Sequence, residues 1–261
     1  MQGCVCPHPP LLVPEIGRGN LDEVKATVAA MERLAAIVGE PESAVIISPH
    51  TPTYLDVFTA KTAPVLRGDF AAFGRPDVRL EVPTDEELAR ELLAAAPSHG
   101  LAMEPVSDDA LDHGVLVPLT YLRPKRLVSL SIVADYPVHR RLGRLVRQVA
   151  ERLGRDLLFI ASGDLSHRLM PGAPAGYDER GAAFDRRVVE LLSEGDFDAL
   201  EGLDDTLVGR AGECGLRSLM ALGGFLGDEA ARNPQIFSYE GPFGVGYLVA
   251  GFGLPTPAAG S

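Results

Sequence analysis

Short apolar runs that alternate with amphipathic stretches constrain this chain most. SAVIISPH (43–50), RLVSLSIV (126–133), DLLFIASGDLSH (156–167) and VGYLVAGFG (245–253) read as strands buried on both faces. Between them, residues 21–39, 85–100, 137–155, 179–194 and 210–226 carry apolar residues at helical spacing, and LVPLTYL (116–122) reads as a helical turn. The opening VCPHPPLLV is a further strand running into a proline-stiffened loop. This alternation predicts an α/β fold: a single domain over 1–253 with a central mixed, mostly parallel sheet flanked by helices on both faces, then a loose tail over 254–261. In such sheets, ligands gather at the carboxyl ends of strands.

Three of the six histidines stand after such strands: His8 in PHPP, His50 in SPHTP and His167 in GDLSH. On parallel strands they would line one edge of the sheet. His8 and His50 are both proline-flanked, which holds an imidazole still, and they read as a metal pair. A third, anionic donor would complete a two-histidine, one-carboxylate face with open positions. Glu213, in RAGECGLRSL, is favoured because a carboxylate at the start of an apolar helix is costly unless it is paired or ligates a metal. Glu240, in SYEGPFG, reads more simply as a loop carboxylate or cap. His113 in LDHG and His167 each stand near an aspartate, Asp112 and Asp164, that could orient a ring for proton transfer. His99 reads as a solvated helix end, and His139 as a packing residue or surface ion pair. Cys4, Cys6 and His8 share one strand face, so a soft zinc site is conceivable, but small buried residues explain the two cysteines better.

Composition narrows the partners. A net charge of -12 opposes general nucleic-acid or anionic-membrane binding. No stretch of about 18 apolar residues is present, and no basic-then-apolar leader opens the chain. Three cysteines do not build a disulfide framework, so a reducing, cytoplasmic setting is expected.

PHPPLLVPEIG, VIISPH, LDHG, IASGDLSH, AGECGLRSL and YEGPFGVGY, in that order, resemble the class III extradiol ring-cleavage dioxygenases of the catalytic B-subunit type. The resemblance runs from about residue 5 to 253. It implies a non-haem Fe(II), with Mn or Zn as alternatives, held by His8, His50 and Glu213. It assigns His167 and His113 as active-site acid/base residues. It implies O2 as co-substrate and a catechol or 2-aminophenol as the ring that is opened, gripped in an apolar slot for which Pro9, Leu11, Tyr54 and Phe243 are candidates. It also implies a homo-oligomer, with a small partner subunit in some members. Arg217 and Arg168 are candidates for a substrate carboxylate. Memo-like proteins share the fold but carry cysteine at the glutamate position. Cys214, next to Glu213, therefore keeps a metal-binding, redox or accessory role open as the alternative.

Overall fold

The computed structural model describes residues 1–231 and 233–255. The central sheet has eight strands in the order β6-β3-β7-β2-β8-β1-β10-β9. They are β1 (Gln2–Cys6), β2 (Ser43–Ser48), β3 (Val57–Lys61), β6 (Ala102–Val106), β7 (Leu127–Ser131), β8 (Leu157–Ser162), β9 (Gln235–Glu240) and β10 (Tyr247–Phe252). β7, β2, β8 and β1 run parallel as neighbours, whereas β3 meets β7 antiparallel, and β10 and β9 are antiparallel additions beyond β1. A separate hairpin, β4 (Val65–Phe70) with β5 (Arg75–Pro83), projects from the β3 side. The expected mixed sheet is present, with its parallel part confined to the centre and to the β3–β6 pair.

Alternation along each central strand feeds two cores. Val5, Val45, Ile47, Leu157, Phe159 and Ala161 face one cluster. Cys4, Cys6, Ala44, Ile46, Leu158 and Ile160 face the other. This is why these strands read as unbroken apolar runs: each residue, whichever way it points, leaves water.

The first core lies under α3 (Glu86–Ala95), α5 (Val138–Arg152), α6 (Glu179–Glu194) and α9 (Leu216–Ala231). On α5, Leu142, Leu145, Val146 and Val149 are buried at helical spacing while Arg141, Arg144 and Arg152 face outward. Each such side chain contributes roughly 1.5–3 kcal/mol on leaving water. The second core lies under α2 (Lys25–Val38) and α4 (His113–Tyr121). Short helices α1 (Pro14–Gly17), α7 (Phe197–Glu201) and α8 (Asp205–Ala211) complete the layers. Aspartate side chains cap α3, α4, α6, α7 and α8, so part of the acidic excess is spent on helix N-termini.

Several boundaries differ from the sequence expectation. The helix expected over 210–226 is α8, a break at 212–215, and α9, so Glu213 and Cys214 lie in a turn between helices. The turn expected at 116–122 lies in a longer helix, α4, whose first residue is His113 and whose C-cap is Leu122. β8 ends at Ser162, five residues before His167. Leu254, the first residue of the expected tail, is buried, and residues 256–261 of that tail lie outside the described residues. No helix among the described residues is long and apolar enough to cross a membrane.

Candidate metal centre

β2, β8 and β1 are adjacent and parallel, so their carboxyl ends open onto one edge. His8 follows β1 there, His50 follows β2, and the N-terminus of α4 brings His113 to the same place. The His8 and His50 Nε2 atoms are 3.0 Å apart. The His113 ring centroid lies 4.1 Å from that of His50 and 5.5 Å from that of His8. His8 is buried, His113 half-buried and His50 exposed, so the cluster runs from core to solvent.

The tautomer of His8 follows from its neighbours. Ser162 Oγ donates its hydrogen to the Gly114 carbonyl and therefore accepts from His8 Nδ1, 3.0 Å away. The proton sits on Nδ1, and the Nε2 lone pair faces His50. Burial pushes His8 down to about 4, with the nearby imidazoles of His50 and His113 adding to that fall against the pull of Asp164. Burial and then His50 likewise lower His113. Neutral imidazoles at neutral pH are what a cation requires. Two nitrogens 3.0 Å apart also match adjacent corners around an ion with metal–nitrogen bonds of about 2.1 Å. The residues present fit a bound metal.

A second set shares His8. Asp164 Oδ1 accepts the His8 backbone N–H at 3.0 Å, and its Oδ2 lies 3.8 Å from both His8 Nε2 and His167 Nε2. Cys214 Sγ stands 3.8 Å from His8 Nε2 and 3.9 Å from His167 Nε2. The ligand atoms of His8, His50 and His113, and those of His8, Asp164 and Cys214, form two compact groups able to hold a metal ion. Burial would raise Asp164, but the charges and hydrogen bonds of His8 and His167 bring it below its ordinary range. For His167 the order is reversed: burial lowers it, and the Asp164 carboxylate followed by Glu213 raises it on balance. Cys214 is driven well up by burial and the Asp164 charge, so it is a thiol when no cation is nearby.

Glu213 takes a different position from the histidines. Its Oε1 accepts the Tyr136 hydroxyl at 2.8 Å and its Oε2 accepts the Leu216 N–H at 2.6 Å, capping α9. Burial raises its pKa against those two donors. The structure thus brings His8, His50, His113 and His167 to one edge. Glu213 is beside them, but its ligand atoms belong to neither compact group. Glu240 accepts Thr27 N–H at 2.8 Å and Thr27 Oγ–H at 2.5 Å, which ties β9 to α2.

Close backbone approaches make the site possible. A Cβ on Gly114 would stand 2.4 Å from Ser48 Oγ and 3.2 Å from the His50 ring. A Cβ on Gly163 would stand 2.3 Å from Gly215 Cα, where the Asp164 and Cys214 loops cross. Asp112, expected to orient His113, instead accepts the hydroxyls of Ser48 and Thr51, each at 2.7 Å, and caps α4 through the Val115 N–H. It fixes His50 and His113 by fixing the backbone that carries them. The two cysteines of β1 are fully buried with sulfurs 3.8 Å apart, as small core residues. His139 is fully buried, the packing residue of the two readings and not a surface ion pair. Its Nδ1 faces the Tyr136 carbonyl at 3.1 Å, and its Nε2 accepts the Val133 N–H at 3.3 Å.

Three residues with a place in the site carried no signal of their own in the sequence. Ser162 sits in a buried strand and sets the His8 tautomer. Tyr136 is tied to Glu213. Phe73, at the tip of the β4–β5 hairpin and 40% exposed, holds its ring 5.4 Å from that of His113. Only the aspartate N-terminal to each histidine was a readable cue, and it identified Asp164.

Residues 2–250 match the family described as the catalytic LigB subunit of aromatic ring-opening dioxygenase, and the chain belongs to that family. It is 34% identical to the protein CA_C1420 of Clostridium acetobutylicum over 93% of this chain and 55% of that protein, so it spans about half of that relative's length. It is 26% identical, over 90% of this chain and 92% of the relative, to a 2,3-dihydroxyphenylpropionate/2,3-dihydroxicinnamic acid 1,2-dioxygenase of Burkholderia vietnamiensis. A MEMO1 family protein of Pyrococcus abyssi is 28% identical over 51% of each chain. The crystal structure of an uncharacterized protein, JW3007, from Escherichia coli K12 has the same fold, with a TM-score of 0.65, 19% identity and coverage of 96% of this chain and 99% of that one.

Proposed function

We propose that this chain is a metal-dependent extradiol dioxygenase that opens the ring of a catechol or 2-aminophenol with both atoms of O2. The observation that carries the reading is the His8–His50 pair, whose Nε2 atoms face each other at 3.0 Å with the His8 proton committed to Ser162. His8 and His50 would hold Fe(II), with Glu213 as the carboxylate donor. Its two hydrogen bonds leave further lone pairs on the carboxylate, so ligation does not require either bond to break. The bound metal supplies a centre at which an aromatic diol and dioxygen can react side by side.

The protein's own groups handle the ring and the protons. His167, its Nε2 within 3.8 Å of Asp164, is the base for a substrate hydroxyl proton and the acid that later returns it. Asp164 stabilises its charged form. His113, its ring 4.1 Å from that of His50, is a second proton carrier, and the Phe73 ring packed against it offers an apolar wall to an aromatic substrate.

Anaerobic loading with Fe(II), followed by oxygen uptake and absorbance scans across catechols and 2-aminophenol, tests the reading. Ring-fission absorbance that disappears in His50→Ala and His167→Ala supports it. Stoichiometric iron without uptake on any ring substrate refutes it.

A second reading has its own support. Cys214 Sγ lies 3.8 Å from His8 Nε2, whereas Glu213 bonds to Tyr136 and Leu216. This favours a Memo-like metal-binding or redox module with sulfur at the third position. Metal affinity separates the two. Glu213→Gln weakens binding under the first reading, and Cys214→Ser does so under the second.

A further inference from the structure

Asp185, on α6, is fully buried. Among the described residues no lysine, arginine or histidine lies within ion-pair distance of its carboxylate. Its Oδ1 accepts the Ser166 N–H at 2.8 Å, and its Oδ2 accepts the Tyr239 hydroxyl at 2.7 Å. Burial pushes Asp185 up to about 6, against the pull of those two donors and of the nearby His167 charge. A buried carboxylate without a cation partner is a costly core group, and an apolar side chain of similar size would avoid that cost. What the carboxylate provides is a fixed acceptor for one backbone N–H.

That N–H belongs to the residue immediately before His167, in the stretch after β8 that also carries Asp164. Every polar group of Ser166 is engaged. Its carbonyl accepts the Gly246 N–H at 2.8 Å. Its hydroxyl donates to the Ala211 carbonyl at 2.8 Å and accepts the Arg168 N–H at 3.0 Å. The Leu165 N–H donates to the Gly246 carbonyl at 2.8 Å. The stretch is thus tied to the residue before β10, to the end of α8 and, through Asp185, to α6 and β9. The Asp185 bond is the one of these ties to Ser166 made by a carboxylate, and charge-assisted bonds are about twice as strong as neutral ones. A Cβ on Gly246 would overlap Asp185 Oδ2, so bare backbone is what lets the carboxylate sit at this depth. A misplacement of about 1 Å in a group that handles the substrate can cost about 100-fold in rate.

We propose that Asp185 is a positioning residue for His167: through the Ser166 N–H it fixes the stretch that carries Asp164 and His167, and Tyr239 in turn fixes Asp185. The proposal rests on the ring-cleavage reading for what His167 does, and not for the tie itself. The role is geometric. Asparagine keeps it, because its Oδ1 can accept the Ser166 N–H while its amide N–H donates to Tyr239 Oη. Alanine abolishes it and leaves the Ser166 N–H unpaired in the core.

Amide hydrogen exchange and NMR on the metal-free full chain test the tie apart from turnover. The Ser166 N–H should exchange at least tenfold faster in Asp185→Ala than in the wild type, and within threefold of the wild type in Asp185→Asn. The His167 ring signals should move further in Asp185→Ala than in Asp185→Asn. In the iron-loaded enzyme, Asp185→Ala should lower kcat at least tenfold for whichever diol the wild type opens. KM and iron affinity should stay within twofold, because His8 and His50 follow other strands. Asp185→Asn should restore kcat to within threefold of the wild type. Where the alanine variant does not fold, Tyr239→Phe decides, since Tyr239 is 38% exposed and its loss leaves the Ser166 bond in place. Freeing one carboxylate oxygen should speed Ser166 exchange and lower kcat, each at least threefold. Ser166 exchange within twofold of the wild type in the deciding variant, or unmoved His167 signals, overturns the proposal. A kcat loss that asparagine does not restore, or one matched by an equal loss of iron affinity, overturns it as well. Fast Ser166 exchange and moved His167 signals in a protein whose wild type opens no diol would uphold the tie and refute ring cleavage.

Discussion

The two halves of the candidate site are built differently. On one side His8 and His50 extend directly from adjacent parallel strands, stiffened by Pro7, Pro9 and Pro49, while His113 begins a capped helix. On the other, Asp164, His167, Glu213 and Cys214 ride on two irregular loops that cross at Gly163 and Gly215. The strand-borne half has its ring nitrogens within direct contact distance. The loop-borne half spaces its groups at 3.8–3.9 Å, and its glutamate is held by Tyr136 and a helix terminus. Rigid elements supply the fixed donors. Loops supply the groups that must tolerate more than one protonation state or partner.

The largest expected effect falls on the strand-borne half. Replacing His50 with Ala should reduce metal affinity by more than the ~100-fold that loss of an outer partner can cost, and reduce turnover at least as far. Equilibrium competition with a chelator measures it, and near-wild-type affinity would break the contrast between the halves.

The next expected effect concerns the loop that carries Tyr136. His139 is fully buried and lowered to about 4, by burial first and by Arg217 after it, against the hydrogen bond to the Tyr136 carbonyl. An unfolded chain protonates this ring near 6.5, so between about 6.5 and 4 the unfolded state binds more protons. Stability is fully present above 6.5 and falls as pH drops through that window, by about 3 kcal/mol for this group. Urea titrations at pH 7.5 and 4.5 should show a smaller pH-dependent loss in His139→Gln than in the wild type. An unchanged difference would remove His139 from the account.

Gly163→Ala tests the crossing itself. Its Cβ would meet the Gly215 backbone, and overpacking of this kind costs about 1–3 kcal/mol. The cost should appear as a lower urea midpoint, with a larger loss of metal affinity in the loop-borne half than in a His8–His50 pair left intact by spectroscopy. Ser162→Ala should have the smallest effect: an unchanged fold and metal affinity reduced about tenfold, because the Nδ1 proton loses its acceptor. Affinity within twofold of the wild type would show that the His8 tautomer is set elsewhere.

Legibility in the sequence follows the same division. The parallel centre of the sheet could be read because residues buried on both faces give unbroken apolar runs, and the histidines beyond their ends were therefore readable as lying along one edge of the sheet. Strands β3, β4, β5, β6 and β9 were not expected. Half-exposed patterns such as that of β5 mix charge with apolar residues and carry no clear period, and β3, though buried, is only five residues long and ends in a lysine. The helical turn was read to begin only at 116, but the Asp112 cap, with a glycine at 114 where a Cβ would meet Ser48, starts the helix at His113. His139 was read as a packing residue or a surface ion pair, and burial decides for packing, through backbone partners that no side-chain pattern records.

By itself the sequence determined the α/β architecture, the placement of three histidines beyond strand ends and the presence of a glutamate–cysteine pair before a buried helix. These are local consequences of periodicity, proline stiffness and burial. Only the tertiary structure decided that β2, β8 and β1 are adjacent. It also decided that Ser162 fixes the His8 proton, that Glu213 bonds to Tyr136 while Cys214 faces His8, that Arg217 stacks on Tyr136, and that Asp185 accepts the Ser166 N–H. Each of these depends on contacts between residues far apart in the chain, and such contacts are set by how layers pack rather than by any local pattern.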